Sequence, residues 1–462
     1  MVEGYIEKSK RKKILLLSDD LRMHSGVATM SREIVVGTAH KYNWFQLGAA
    51  LKHPEIGKVV DVSEEINKTK GIPDADVKVM PHEGYGNALI IRQLIKREKP
   101  DAIFIFTDPR YWIWLFDMER EVRSQIPICW LNIWDDYPAP MYNRNYYNSV
   151  DCLMGISKQT VNINKLVLGE DADNKVLKYV PHGIHPEQFF PIREGHELFG
   201  KLEEFKAQTI PNKDIEFIAY FNSRNINRKR PGDVILSFRH FCDSIGKEAA
   251  KKVALVMHTE ISNAHGTDLK AVKEAIYPEG NIFFSTGKIS TGQMNFMYNI
   301  ADVTMLITSN EGWGLSLTES VMAGTMIIPN VTGGMQDQCR FENEKGEWID
   351  FDSDFPSNHR GTYKKHGKWA RPVYPSNISL AGSPGTPYIF DDRCDPNDVA
   401  QAIEDVYKMK KEDREANGRA GHEWLQSEEA QMTSQQMCSN VIDAIEDTFV
   451  KMSAATNNEL TL

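Results

Sequence analysis

No apolar run in the 462-residue chain reaches the ~20 residues a membrane-spanning helix needs, so no such helix is expected. Cysteine is scarce and scattered. Cys129, Cys152, Cys242, Cys339, Cys394 and Cys438 form neither a Cys-x-x-Cys pair nor a zinc spacing. They lie in or near apolar runs, which points to reduced core thiols and a cytoplasmic location. The first 13 residues lack the apolar stretch of a secretory signal and end in Lys8-Ser-Lys-Arg-Lys-Lys13. That cluster reads as a solvated tail or as a basic contact for a membrane or nucleic acid. An excess of positive charge is also missing: Lys and Arg number 54, Asp and Glu 64, for a formal charge of −10. This excludes a protein that coats nucleic acid non-specifically, though a local basic groove is compatible with it. No internal sequence repeat is present. What remains is an ordinary globular composition, 41% hydrophobic and 10% aromatic, in a chain too long for one core.

Short apolar runs alternate with helical patterns. Residues 14–17, 102–106, 128–133, 152–156 and 177–180 read as buried parallel strands, and 28–39, 87–98, 112–124 and 159–168 as the helices between them. A second series follows, with strands at 215–221, 253–257, 282–285, 303–307 and 326–329 and helices at 231–244, 266–275, 291–301 and 317–323. The expected fold is α/β: two doubly wound Rossmann-like domains with a cleft between them and C-terminal helices. The first domain takes residues 1–190 and the second 191–425. A helix within 426–462 packs back on the first, and the last residues fray. Residues 339–388 break the pattern as a long insertion rich in Pro, Gly, Tyr and Trp. From 355 to 390 it is poor in acidic residues, with Arg360, Lys364, Lys365, Lys368 and Arg371 interleaved with Tyr363, Trp369 and Tyr374. It reads either as a sugar-, base- or phosphate-binding patch or as a β-hairpin insertion packing its own aromatics.

Four short segments carry chemistry. Glu311-Gly-Trp-Gly-Leu-Ser-Leu-Thr-Glu319 places two carboxylates across a glycine loop between a strand and a helix. Backbone N–H groups at such a helix start attract anions and sugar hydroxyls. Phe221-Asn-Ser-Arg-Asn-Ile-Asn-Arg-Lys-Arg-Pro-Gly232 follows a strand and opens a helix, with Arg224 and Lys229 across the turn and Arg228 and Arg230 beside them. Cations there suit a diphosphate: Arg grips two oxygens and Lys acts as a point charge. His24-Ser-Gly26 follows the first strand, where Gly26 permits close backbone approach. Val331-Thr-Gly-Gly-Met-Gln-Asp337 sets Gly333 and Gly334 after another strand, where the chain can pass close to a ligand. Taken singly, the last two are also ordinary structural turns.

Together and in this order, these segments resemble the family 4, or group 1, retaining glycosyltransferases of the GT-B fold. The resemblance rests on Arg224/Lys229, Glu311/Glu319, Gly312-Trp313-Gly314, Gly333-Gly334 and the hinge-like Val180-Pro-His-Gly-Ile184. It implies that Arg224 and Lys229 hold the donor diphosphate and neutralise the leaving nucleotide. Glu319 would bind the ribose. Glu311 would contact the sugar hydroxyls and support developing positive charge, and Gly26 with Gly312, Trp313, Gly314 and Leu315 would line the donor. It also implies no metal, no cofactor beyond the nucleotide sugar (UDP being commonest), and retention of configuration. The adjacent pair Asp135-Asp136 is not read as an Asp-x-Asp donor signature. The sequence departs from the family pattern in lacking a His at the end of an N-domain strand, where Asn132 or Asp135 is the candidate substitute. A Gly-Gly near the first turn is reduced to Ser25-Gly26, and the insertion is extra. His24, His182 and His185 are candidates for sugar or hinge contacts. Aromatics and acids at Asp108-Pro-Arg110 and 130–142 place the acceptor in the N-terminal domain.

The expected function is sugar transfer from a nucleotide-diphosphate sugar to a hydroxyl of a glycan or small molecule. The alternatives are a phage-type DNA glycosyltransferase acting on 5-hydroxymethylcytosine, a GT-B nucleotide-sugar epimerase, and a non-catalytic nucleotide-sugar binder. The oligomeric state is open.

Overall fold

The computed structural model describes residues 3–49, 52, 54–351 and 358–459. Part of the insertion (352–357) and the end of the tail lie outside them. The strands are β1 (Lys12–Asp19), β2 (Tyr42–Ala49), β3 (Val60–Asp61), β4 (Val77–Pro81), β5 (Ala102–Phe106), β6 (Ile128–Asn132), β7 (Cys152–Gly155) and β8 (Val176–Tyr179). A second group is β9 (Phe217–Asn222), β10 (Val253–His258), β11 (Ile282–Ser285), β12 (Val303–Leu306) and β13 (Met326–Pro329), followed by the hairpin β14 (Asn377–Ser383) and β15 (Thr386–Arg393). The first eight form one sheet in the order β3-β4-β2-β1-β5-β6-β7-β8, parallel except at the β3 edge. The next five form a wholly parallel sheet, β11-β10-β9-β12-β13. In both, chain order reverses beside the first strand, between β1 and β5 and between β9 and β12. Ligands of open parallel sheets bind at such crevices, beyond the strands' C-terminal ends.

The strands expected from short apolar runs are present. Strands β2, β3 and β4 were not expected. In β2, Asn43 and Gln46 break the apolar run, yet every residue is buried. Gln46 accepts from the Leu21 N–H and donates to Ser18 and the Asp19 carbonyl, so its polarity is spent on holding the β1 loop. The helical stretch expected at 112–124 is broken into the short helices Ile113–Phe116 and Glu119–Arg123, and two further helices, Pro396–Tyr407 and Lys411–Leu425, precede the last one.

The last helix, Ser434–Glu459, lies against the helix Gly26–Thr38 and strands β7 and β8 of the first sheet. Gly37 permits this approach, since a Cβ there would collide with the Cys438 sulfur. Tyr42 donates to Glu446 at 2.7 Å, and Lys178 pairs with Asp447 at 2.6 Å. The chain therefore crosses between domains twice, and the two crossings touch. Ile184 N–H donates to the Met432 carbonyl and Ser434 N–H to that of Ile184, while Gly183 leaves room for the Thr433 carbonyl. His185 is fixed here too, with Nε2 at 2.5 Å from Glu33, whose partnership raises the imidazole's pKa despite its burial.

The basic cluster at the start is not a solvated tail. Arg11 is buried against Asp74, Lys8 pairs with Asp76, Lys12 with Glu446 and Lys13 with Glu98. The insertion's aromatics likewise serve packing. Trp369 stacks on Trp424 with centroids 5.0 Å apart, Trp348 meets Trp424 edge-on, and Tyr374 donates to the Tyr363 carbonyl. Ala370 and Val373 extend the second sheet beyond β13 through parallel bridges to Ile327 and Asn330. Among the described residues no helix is long and apolar enough to cross a membrane.

Candidate active site

The site forms where the loops after β9 and β12 meet at the second sheet's crevice. The β9 loop is fixed by Asn225, which is fully buried: its amide donates to the carbonyls of Glu260, Ile261 and Thr267, and its carbonyl accepts from the Thr267 N–H. A one-turn 3-10 helix, Asn227–Lys229, then ends at Arg230 in the left-handed region (φ 54°), and Pro231 starts the helix Pro231–Ile245. This turn aims Lys229 and Arg228 at the β12 loop. Lys229 forms an ion pair with Glu311, and Arg228 reaches the same carboxylate at 3.3 Å and the Asn310 carbonyl at 2.6 Å. The Arg228 carbonyl accepts from the Ser309 N–H and the Thr308 hydroxyl, so Arg228 clamps the loop through main chain and side chain together. Glu311 is buried, which raises its pKa. The two cations outweigh that and hold the carboxyl below its usual range.

Glycines set the floor. Gly314 (φ 87°) precedes the helix Leu315–Met322 without a side-chain cap, leaving its first N–H groups toward the crevice. Gly333 and Gly334 press against the same loop from behind. Gly334 N–H donates to the Glu311 carbonyl at 3.0 Å, and a Cβ on either glycine would overlap the backbone of Glu311 or Gly312. Trp313 points inward, donating to Thr318, whose hydroxyl in turn donates to Gln338. Gln338 returns a bond to the Trp313 carbonyl at 2.6 Å. One turn into the helix, Glu319 accepts from the Tyr298 hydroxyl at 2.5 Å, and Asn222 donates to that hydroxyl at 2.8 Å.

Burial pushes the Glu319 carboxyl up to about 7, in spite of the Tyr298 bond. A carboxyl raised on folding holds its proton more tightly in the native state. Its stabilising contribution is present below the ordinary value of about 4.5 and is lost as pH rises through about 7. Glu319→Gln should therefore show a smaller fall in Tm between about pH 5 and pH 8 than the wild type. Parallel Tm–pH curves would refute this environment for Glu319.

The first domain closes over this floor. The Ile133 carbonyl and the Asp135 Cβ face Gly312, and Leu315 lies 3.7 Å from where a Cβ on Gly26 would stand. Burial raises the pKa of Asp135, opposed by Arg228 and reinforced by Glu311, so Asp135 stands in the site's electrostatic field. Asp337 bridges the domains. It accepts from the Lys158 N–H at 2.9 Å and the Tyr179 hydroxyl at 3.0 Å, and burial pushes it up to about 7. His182 packs edge-on between Phe106 and Trp313, its Nδ1 unpartnered, and burial lowers it to about 3, so the ring is neutral.

The structure thus gathers Lys229, Glu311, Gly312, Trp313, Gly314, Leu315, Gly333, Gly334, Gly26, His182 and Asp135 around one crevice, with Glu319 one turn behind. Arg224 is exposed and makes no ion pair among the described residues, while Arg228 grips Glu311. The sequence gives no sign that Arg228, carried on the 3-10 turn, pairs with Glu311. Asn132 does not face the crevice. It is 0% exposed, donates to Tyr147 and Asn164, accepts from the Trp134 N–H, and so holds the loop that carries Asp135. His24 is exposed, beside Gly26. The sequence also hid a bridge: the hairpin β14–β15 leaves the second domain and docks on the first. Arg110 donates to Thr386 at 2.8 Å, Tyr142 to the Tyr388 carbonyl, and Phe390 N–H to the Tyr137 carbonyl at 2.7 Å. Among the described residues no three His, Cys, Asp or Glu side chains are grouped to hold a metal ion.

The motif resemblance is borne out over the second domain: residues 202–354 match the family described as glycosyl transferases group 1. No curated protein sequence matches the chain. Solved structures similar to it include a glycosyltransferase from Rickettsia africae (TM-score 0.63, 13% identity, 95% of this chain and 99% of that one). Another is HepE from Anabaena in complex with UDP and glucose (TM-score 0.64, 10% identity, 95% and 100%). A third is the sucrose-phosphate synthase of Thermosynechococcus elongatus (TM-score 0.63, 13% identity, 95% and 100%). Identities this low establish the shared GT-B fold.

Proposed function

We propose that this chain, whose residues 202–354 carry a group 1 glycosyl transferase signature on a GT-B fold, is a glycosyltransferase that transfers a hexosyl or pentosyl group from a UDP-sugar to a hydroxyl acceptor, with retention and without a metal. The observation that carries the reading is the convergence of Lys229 and Arg228 on Glu311 above the paired glycine loops. An entering diphosphate takes over Lys229, with Arg224 free to join it. That exchange releases Glu311 toward the sugar's hydroxyls. As the sugar–phosphate bond lengthens, charge grows on the departing phosphate, where cations and helix N–H groups are already placed. The acceptor oxygen bonds to the anomeric carbon on the same face, and its proton passes to the departing phosphate oxygen. Glu319 takes the ribose. UDP is chosen because the HepE structure, of the same fold, holds UDP and glucose.

A thermal-shift panel of nucleotide sugars tests the donor. A specific donor at about 100 times its Kd should stabilise the protein by about 2.7 kcal/mol, and UDP-linked sugars should give the largest shift. A flat panel would remove the reading. Transfer should continue unchanged in EDTA, and a loss restored by a divalent ion would overturn the metal-free route.

A further inference from the structure

The first sheet has its own crevice, between β1 and β5, and of the loops there the donor site described above uses only Gly26. From β1 comes Asp19, and from the loop after β5 come Asp108, Arg110 and Tyr111. Tyr111 stacks on Tyr85 with centroids 3.9 Å apart and planes within 8°, while Tyr85 is wedged edge-on against the buried Trp112. Tyr111 remains 45% exposed, and its other face meets no ring or cation among the described residues. A rigid aromatic plate is thus presented to solvent from a fixed base.

Carboxylates flank the plate. Asp19 accepts from the Tyr85 hydroxyl at 3.1 Å and the Ser25 hydroxyl at 2.8 Å, beside Gly26, which faces Leu315 of the donor floor. On the other flank Arg110 grips Asp108 through two nitrogens and reaches Thr386 of the hairpin. The cations of this crevice are already neutralised: Arg110 by Asp108, and Arg22 by Asp20 and Glu55. Phosphate oxygens would meet the Asp19 carboxylate there, and among the described residues both arginines of this crevice are already paired. Hydroxyls are what carboxylates accept from, and an aromatic face packs on the C–H face of a sugar ring.

We infer that the Tyr85–Tyr111 stack with Asp19 is the acceptor subsite and that it takes an uncharged saccharide, its ring on Tyr111 and its hydroxyls toward Asp19. This rests on the transferase reading and names the acceptor class for it. The same charge arrangement disfavours the phosphates of DNA at this subsite.

The test is saturation-transfer NMR on the whole chain with UDP bound, using a panel of neutral hexose mono- and disaccharides and, separately, duplex DNA containing 5-hydroxymethylcytosine. Saccharide signals should appear with the wild type, fall at least about tenfold in apparent affinity in Tyr111→Ala, and persist in Tyr111→Trp. UDP affinity should be equal in all three. Silence across the saccharide panel, undiminished saccharide binding in Tyr111→Ala, or binding of the DNA in their place would each overturn the proposal. Failure of UDP itself to bind would be a failure of the donor reading, seen separately in the UDP titration.

Discussion

Lys229→Ala is expected to lower kcat by about 10²–10³-fold, the usual cost of removing one preorganised charge from a transition state. Lys229 is mostly buried, comes from a turn locked by Asn225, and meets Glu311 beside Arg228. A solvated cation would be replaceable by water and salt. This one lies where water is scarce, so nothing substitutes for it as the diphosphate departs. Lys229→Arg should recover only part of the rate, because the broader guanidinium must share space with Arg228. Glu311→Gln should lose activity on a similar scale while keeping shape and nucleotide affinity. The check is single-turnover transfer with saturating donor, alongside the Tm of each variant. A wild-type rate in either Lys229→Ala or Glu311→Gln would dismiss the site.

Gly334→Ala is expected to be the most damaging small change, costing about 1–3 kcal/mol as an overpacked contact. A Cβ at 334 would overlap the Gly312 carbonyl oxygen and stand 2.9 Å from the Trp313 Cα. Both obstacles are backbone, so no side chain can swing away. The two loops must part, and the Gly334 N–H bond to the Glu311 carbonyl goes with them. Nucleotide affinity should fall by about tenfold or more, equivalent to about 1.4 kcal/mol. Gly232→Ala is the control for stability: it sits in the first turn of the helix Pro231–Ile245 with open space around it, so its Tm should hold or rise. Equal melting and equal nucleotide affinity for Gly334→Ala and wild type would contradict the packed-loop geometry.

Much of the donor half was legible because its chemistry lies in short contiguous motifs. Strand, glycine loop and helix follow one another in sequence, and Glu311 needs only local rules to be placed beside Gly314. The first domain was harder. Strand β2 escaped because its buried polar residues, Asn43 and Gln46, interrupt the apolar pattern while serving tertiary bonds. Asn132 was misjudged because an amide at a strand end reads the same whether it faces a ligand or supports a loop. Arg228 was noted only as a neighbour of Arg224 and Lys229, because spacing alone does not tell which arginine pairs with Glu311. The hairpin's reach to Arg110, Tyr137 and Tyr142 depends on contacts across more than two hundred residues, which no local pattern encodes.

The last helix has a consequence for how the protein comes into being. Met437, Val441, Ala444 and Ile445 on this helix are buried, and the helix covers part of the sheet made by the N-terminal half of the chain. During synthesis the N-terminal half leaves the ribosome first, yet its apolar flank stays uncovered until the final residues are released. The donor half can complete itself earlier, since its strands are contiguous. The domain made first is thus finished last. A chain shortened before residue 434 should fail in its N-terminal half, and any exchange of domains with another GT-B protein must carry both chain segments that build the first domain.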